Sequence, residues 1–227
     1  MEKVIELSNL RSKIDQMNGK LLSLVSTRMN YPLNIKTFEE EFADRKTWFL
    51  YRLQREQDLD SEFGRFLYND QMPFVFKKDE LAKAKISNLE NKGIAPIEID
   101  LSEKIIQLYK KLLSGLCESK EDKGTYGETT KLDVEIVLTI NERTTAIGEH
   151  VSAFKLQNEP RLKDLSKEEI KANLINQDRE VEVINNIVKT AKKYGIENEE
   201  LMKEFARDLI DITLDSEVHF ILNFTLS

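Results

Sequence analysis

The chain has 227 residues, 40% of them hydrophobic and 33% charged, with a formal net charge of −7. That length suits a single domain over residues 1–227 with a sizeable core, and the acidic balance argues against binding nucleic acid. No apolar run approaches the roughly 20 residues of a membrane helix, and the opening MEKVIELSNLRSK carries charges where a signal peptide would be apolar. Cys117 is the only cysteine, which excludes an intramolecular disulfide. We therefore expect a cytoplasmic protein without membrane association. With 8 glycines and 4 prolines, the chain has few residues for the tight turns of an all-β fold, so the expected class is all-α.

In chain order, residues 4–29 place Leu7, Leu10, Ile14, Met17, Leu21, Leu24 and Val25 at helical spacing, and Tyr31-Pro32 ends that helix. A second helix is predicted over 38–68, with Trp48, Phe49, Leu53, Phe63 and Phe66 as its apolar face. Residues 69–73, NDQMP, read as a turn and 93–100, GIAPIEID, as a packed connector. Helix resumes over 101–117 through Ile105, Leu108, Leu112 and Leu113. The polar stretch 118–130 reads as a loop, with Asp133 as N-cap of a long helix to 157. Helices follow at 166–174, at 178–194 closed by Gly195, and at 199–224.

The informative feature is polar residues on apolar faces. Arg11 shares a face with Leu7, Ile14, Leu21 and Val25. Arg143 sits in the stripe Ile136, Ile140, Ile147, Val151, Phe154, with Lys155 at its edge. Glu180 aligns with Val183, Ile184, Ile187 and Val188, and Asn176 lies one turn earlier. Thr213 and Glu217, at i and i+4, share a face with Leu209, Ile210, Phe220 and Ile221. Singly, such an arginine is usually a snorkelling side chain or a structural ion pair, such a threonine is back-bonded to its own helix, and such a glutamate is an ion-pair partner. Together they form a pattern, because a buried unpaired charge costs several kcal/mol. If the five charged groups meet, cations outnumber anions by one, or by two with one Glu protonated, which suits a small dianion held by two-pronged arginine contacts.

Other chemistries have little support. His150 and His219 fall in no HExxH or ExxH pattern, so no metal site is expected. No Gly-rich phosphate loop is present, Cys117 stands in no motif, and no cofactor is expected.

Several motifs resemble one family, the fungal and plant branch of all-helical chorismate mutases. Residues 10–15, LRSKID, resemble its opening motif, and Asp70-Gln71-Met72-Pro73-Phe74 its D-x-x-P-F turn. Tyr126-Gly127 and Asp133-Val134-Glu135, then Gly148 and residues 153–157, AFKLQ, are similar in part to its main helix. Asn176-x-x-x-Glu180, residues 192–195 (KKYG) and Ile212-Thr213-x-x-x-Glu217-Val218 continue the match. The resemblance implies a chorismate mutase II-like helical bundle, a homodimer, and rearrangement of chorismate to prephenate without a cofactor in phenylalanine and tyrosine biosynthesis. It further implies that Arg11 and Arg143 bind the two carboxylates and that Lys155 and a protonated Glu217 meet the breaking ether oxygen. Glu180 would hold the ring hydroxyl, and Asn176 and Thr213 would complete the carboxylate contacts.

Two departures stand out. One extra residue lies between Arg143 and Lys155, which a single π-type turn would absorb; without it their relation on the helix shifts by roughly 100 degrees. In the family's effector site Arg65 and Gly127 match, but Gly64 replaces a basic residue and Glu128 a small hydroxyl residue. Control by Tyr or Trp therefore stays open. So do two other readings: a catalytically silent helical dimer acting as a binding or regulatory protein, and a secreted mutase acting on host chorismate.

Overall fold

The computed structural model describes residues 7–67, 71–74, 81–83 and 99–223. Its elements are α1 (Leu7–Arg28), α2 (Lys36–Glu39), β1 (Glu41–Ala43), β2 (Lys46–Thr47), α3 (Trp48–Glu62), α4 (Ser102–Leu116), α5 (Tyr126–Asn158), α6 (Lys167–Leu174), α7 (Gln177–Lys193) and α8 (Glu199–Asn223). Short 3-10 turns follow α3 and flank α5. The protein is an all-α bundle. The 33-residue α5 packs against α1, α3, α4 and α8, while α7 lies on α1 and α8. Among the described residues, no helix is long and apolar enough to cross a membrane.

The core follows the expected faces. Ile105, Leu108, Leu112 and Leu113 of α4 are buried together with Leu21, Val25, Ile136 and Ile140. A smaller cluster joins Leu156, Leu162, Ile170 and Leu174 to Leu214, Val218 and Ile221. The ends of the later helices are set by local chemistry. Ser166 and Glu169 form a reciprocal capping box on α6. Gly195 takes φ 77° after α7 while Ile196 N–H returns to the Ala191 carbonyl.

Two expectations are corrected. The single helix predicted over 38–68 is α2, a small hairpin and then α3. Asp44 and Arg45, with φ 51° and 59°, make the tight left-handed turn that pairs Ala43 with Lys46. Thr47 then caps α3 by accepting from Leu50 N–H. Phe63, expected on the apolar face, lies beyond the helix end and is exposed. The turn residues Asn69 and Asp70, and residues 93–98 of the connector, lie outside the described residues.

The second correction concerns Asp133. The long helix starts at Tyr126, and Asp133 is fully buried two turns inside it. Its Oδ1 accepts from Arg28 Nε at 2.6 Å and from the Tyr109 hydroxyl at 2.6 Å. The terminal nitrogens of Arg28 donate to the carbonyls of Pro32 and Leu33 at 2.8 and 2.9 Å. One guanidinium thus ties the end of α1 to the loop after it, to α4 and to α5. Burial lifts the Asp133 carboxyl to about 6, opposed by Arg28 and by the Tyr109 hydrogen bond. Burial also holds the Tyr109 phenol well above its ordinary value, with the Asp133 charge adding to the effect.

Removing one partner of a buried pair typically costs about 3–5 kcal/mol, because the other charge is left stranded. Arg28→Met should therefore lower the denaturant midpoint sharply. Lys36→Met, which breaks an exposed pair with Glu40, should leave it nearly unmoved. Equal midpoints for the two variants would show that the Arg28 cluster does not hold the fold.

Candidate active site

The inward stripe of α1 runs through Leu10, Asn18, Leu21, Val25 and Arg28, all buried. Arg11 lies two turns before Asn18, within about 20 degrees of it around the helix and near the N-terminal end of α1. It is exposed rather than set in the core, which corrects the expectation for its face. It faces α7, where it adds to the pull that Arg179 exerts in holding Glu182 below the ordinary carboxylate range.

On α5, Arg143 is 4% exposed. Its Nε donates to Asn18 Oδ1 at 2.7 Å, and a terminal nitrogen donates to Thr213 Oγ1 at 3.0 Å. Thr213 in turn donates to the Leu209 carbonyl, so its hydroxyl is fixed as an acceptor toward the arginine. Both partners are neutral, and among the described residues no carboxylate forms an ion pair with Arg143. Burial pulls its guanidinium down to about 10, with Asp15 on α1 opposing.

One turn along α8 from Thr213, Glu217 is 7% exposed and accepts from Lys155 Nζ at 2.7 Å. Burial raises the Glu217 carboxyl above its ordinary value, with Lys155 opposing. Lys155 itself is half-buried.

The π-type turn expected between Arg143 and Lys155 is not formed: α5 is α-helical throughout. Twelve residues advance the helix by about three and a third turns, so the two side chains leave it roughly 120 degrees apart. They still converge on α8 because the helices cross between them, at Gly148. A Cβ there would meet Ser216 Oγ at 2.8 Å and Ser216 Cβ at 3.1 Å. Ser152, one turn on, donates to the Gly148 carbonyl and to the Glu217 carbonyl. Arg143 thus reaches Thr213 from one side of the crossing and Lys155 reaches Glu217 from the other.

Hydrogen bonds therefore join Arg143, Thr213 and Asn18 into one group and Lys155 and Glu217 into another, on adjacent turns of α8. Arg11 on α1 and Asn176 and Glu180 on α7 are not bonded to either group among the described residues. Glu180 is half-buried in the first turn of α7. Asn176 is exposed and caps that helix, its Oδ1 accepting from Arg179 N–H at 3.0 Å. Sequence reasoning missed Asn18 and Ser152. Asn18 carried a readable signal, since it stands four residues after Ile14 and three before Leu21; Ser152 carried none beyond its smallness.

The expected effector residues are not assembled within one chain. Arg65 pairs with Asp60 at 3.6 Å and Glu142 at 3.3 Å, in a surface cleft of about 240 Å³ that Lys20, Arg52 and Lys131 also line. Gly127 and Glu128 lie in the first turn of α5, roughly 20 Å along its axis from Glu142.

Comparison with known proteins adds to this geometry. No family model matches the chain. It is 25% identical to the chorismate mutase of Saccharomyces cerevisiae over 254 residues, covering 97% of this chain and 96% of the yeast protein. It is 24% identical to chorismate mutase 2 of Petunia hybrida, covering 87% of this chain and 78% of that protein. Among solved structures, the chorismate mutase of Candida albicans in complex with L-Trp superposes with a TM-score of 0.87 at 19% identity, over 96% of this chain and 91% of that one. The chloroplast chorismate mutase of Zea mays gives 0.81 at 18% identity, over 97% and 96%. AtCM1 with tyrosine bound in its allosteric site gives 0.83 at 20% identity, over 98% and 97%. In sequence and in fold the chain is thus similar to the eukaryotic-type, all-helical chorismate mutases.

The helix crossing yields a test. Gly148→Ala should destabilise the protein by about 1–3 kcal/mol through overpacking. Adding Ser216→Ala should recover part of that loss by removing the nearest atom. A Gly148→Ala melting curve identical to the parent's would show that the crossing has slack.

Proposed function

We propose that this protein rearranges chorismate to prephenate, as a cofactor-independent isomerase in the branch leading to phenylalanine and tyrosine. The observation that carries the reading is Arg143, a buried cation whose hydrogen-bond partners are neutral, set beside the pair of half-buried Lys155 and buried Glu217. Such a site attracts an anion, and the similarity to chorismate mutases over almost the whole chain names a dianion that fits.

The reaction is a one-step pericyclic rearrangement, in which one carbon–oxygen bond breaks as one carbon–carbon bond forms. It needs no nucleophile. What it needs is the reactive conformer held in place and stabilisation of the charge that builds on the ether oxygen. In this reading Arg143, steadied by Thr213, binds one carboxylate, and Arg11 at the mouth binds the other. Lys155 and neutral Glu217 donate to the ether oxygen. Glu180 and Asn176, at the start of α7, approach the ring hydroxyl and a carboxylate. The convergence of Arg143 and Lys155 on α8 favours this active reading over a silent binding protein of the same fold.

We further propose a homodimer with one domain per chain, in the cytoplasm, where the buried, unpaired Cys117 stays reduced. The separation of Arg65 from Gly127 and Glu128 suits an effector site completed by a second copy. Arg65 is already held by two carboxylates, so a Tyr or Trp carboxylate has to displace them, and feedback control is expected to be weak.

Glu217 gives the sharpest test. Burial raises its pKa, so the neutral, donating acid persists to higher pH than for an ordinary carboxylate. Activity that depends on it is present below that pKa and is lost as pH rises through it. Glu217→Gln donates without ionising, so it should hold its activity on the alkaline side where the parent declines. The assay is loss of chorismate absorbance from mildly acidic to mildly alkaline pH. Parallel profiles would remove Glu217 from control of the pH dependence, and a parent that consumes no chorismate would refute the proposed reaction.

Binding gives a second, independent readout. A bicyclic dicarboxylate that mimics the transition state should raise the melting temperature, because it binds only the folded site. The shift should be lost in Arg143→Ala. An unmoved curve at saturating analogue would mean that the cluster is no anion site.

A further inference from the structure

Among the described residues two arginines are buried, Arg28 and Arg143, and the protein treats them differently. Arg28 is given a carboxylate: Asp133 Oδ1 lies 2.6 Å from its Nε, at zero exposure on both sides. Arg143 is given an amide in the same place: Asn18 Oδ1 lies 2.7 Å from its Nε. Asn18 is itself 5% exposed and comes from α1, one turn from the Leu21–Val25 core contacts. An asparagine there is not a packing residue, because a buried amide oxygen without a donor costs more than an apolar side chain of the same size.

We propose that Asn18 is a positioning residue for the rearrangement, whose amide oxygen fixes the plane of the Arg143 guanidinium while leaving its charge to the substrate carboxylate. This rests on the chorismate reading above. The guanidinium is a rigid fork, and its two-pronged grip on a carboxylate depends on its plane. Thr213 holds one terminal nitrogen and Asn18 holds Nε, so two acceptors on two helices define that plane. Among the described residues, the carboxylate that acts on Arg143 is Asp15, also on α1, and it forms no ion pair with it. Neutral acceptors satisfy the buried donors without cancelling the charge that draws the ligand.

The test uses Asn18→Leu, which keeps the volume and removes the acceptor, and Asn18→Asp, which keeps the acceptor and adds a charge. Asn18→Ala serves as a second deletion should the leucine variant fold poorly. All are assayed for chorismate turnover well below their melting temperatures, and for binding of the bicyclic dicarboxylate by calorimetry. Removing the acceptor should lower kcat/KM at least tenfold, chiefly through KM, and weaken analogue binding in parallel, with the fold intact. Asn18→Asp should recover at least threefold over Asn18→Leu and remain below the parent. A structural role alone would not produce that rescue, nor a loss concentrated in KM. Parental kcat/KM in Asn18→Leu, or equal loss in the aspartate and leucine variants, would overturn the role of Asn18 and leave the proposed reaction standing. A parent that neither consumes chorismate nor binds the dicarboxylate would overturn both.

Discussion

Burying a guanidinium is the constraint around which the rest of this molecule is arranged. A cation taken out of water has to be met by acceptors, since the desolvation penalty amounts to several kcal/mol. The protein meets it in two ways along α5. At Asp133 it closes the pair internally, and Arg28 becomes a rivet between α1, α4 and α5. Nearly three turns further, at Arg143, it supplies only neutral acceptors from α1 and α8. The first arrangement spends its electrostatics on the fold. The second leaves them available to a ligand, and it is tolerable because the closed cluster nearby holds the same helices in register.

That register is what the site depends on. Arg143 and Lys155 leave α5 on different sides, yet both meet α8 within one turn, at Thr213 and Glu217. The close approach of Gly148 to Ser216 puts the crossing point between them. A long side chain on each side of a crossing can reach the same stretch of the partner helix. The extra residue in α5 therefore alters the direction from which each side chain arrives, without separating them. Strict same-face spacing would matter for short side chains; arginine and lysine have the length to absorb the offset.

Much of this was legible in the sequence, and the failures have physical causes. Periodicity located α1, α4, α6, α7 and α8 to within a residue or two of their ends after residue 7, because each has one clean apolar face and an explicit cap or stop. The hairpin at 41–47 was missed because its turn uses Asp44 and Arg45 in place of glycine. Asp133 was misread because an acidic residue before an apolar run looks like a cap; only the partner Arg28, over a hundred residues away, shows that it is buried. The stripe Leu7, Arg11, Ile14, Leu21, Val25 also passes through Asn18, seven residues after Arg11, yet Asn18 is buried and Arg11, two turns nearer the N-terminus, is exposed. The apolar residues Leu7, Leu10, Ile14, Met17, Leu21 and Leu24 define one face within an arc of about 100 degrees, and Arg11 and Asn18 lie just beyond its edge. Packing against α5, not composition, decides which residues of that edge are buried.

The asymmetry between Glu217 and Arg143 bears on how such a site could act without a nucleophile. Burial pushes both toward neutrality, raising the acid and lowering the base. For Glu217 the shift works toward the chemistry, because a carboxyl that stays protonated is a donor where oxygen gains charge. For Arg143 the shift is harmless, because a guanidinium at about 10 is still charged at neutral pH. One low-dielectric environment can therefore shift an acid toward its neutral form and leave an arginine charged one turn apart along α8, since their unperturbed values begin roughly eight pH units apart. A lysine in the place of Arg143 would start lower and lose part of its charge to the same burial, and it could not hold a carboxylate in a plane. Arginine at the enclosed end and lysine at the half-exposed end is the order that this environment demands.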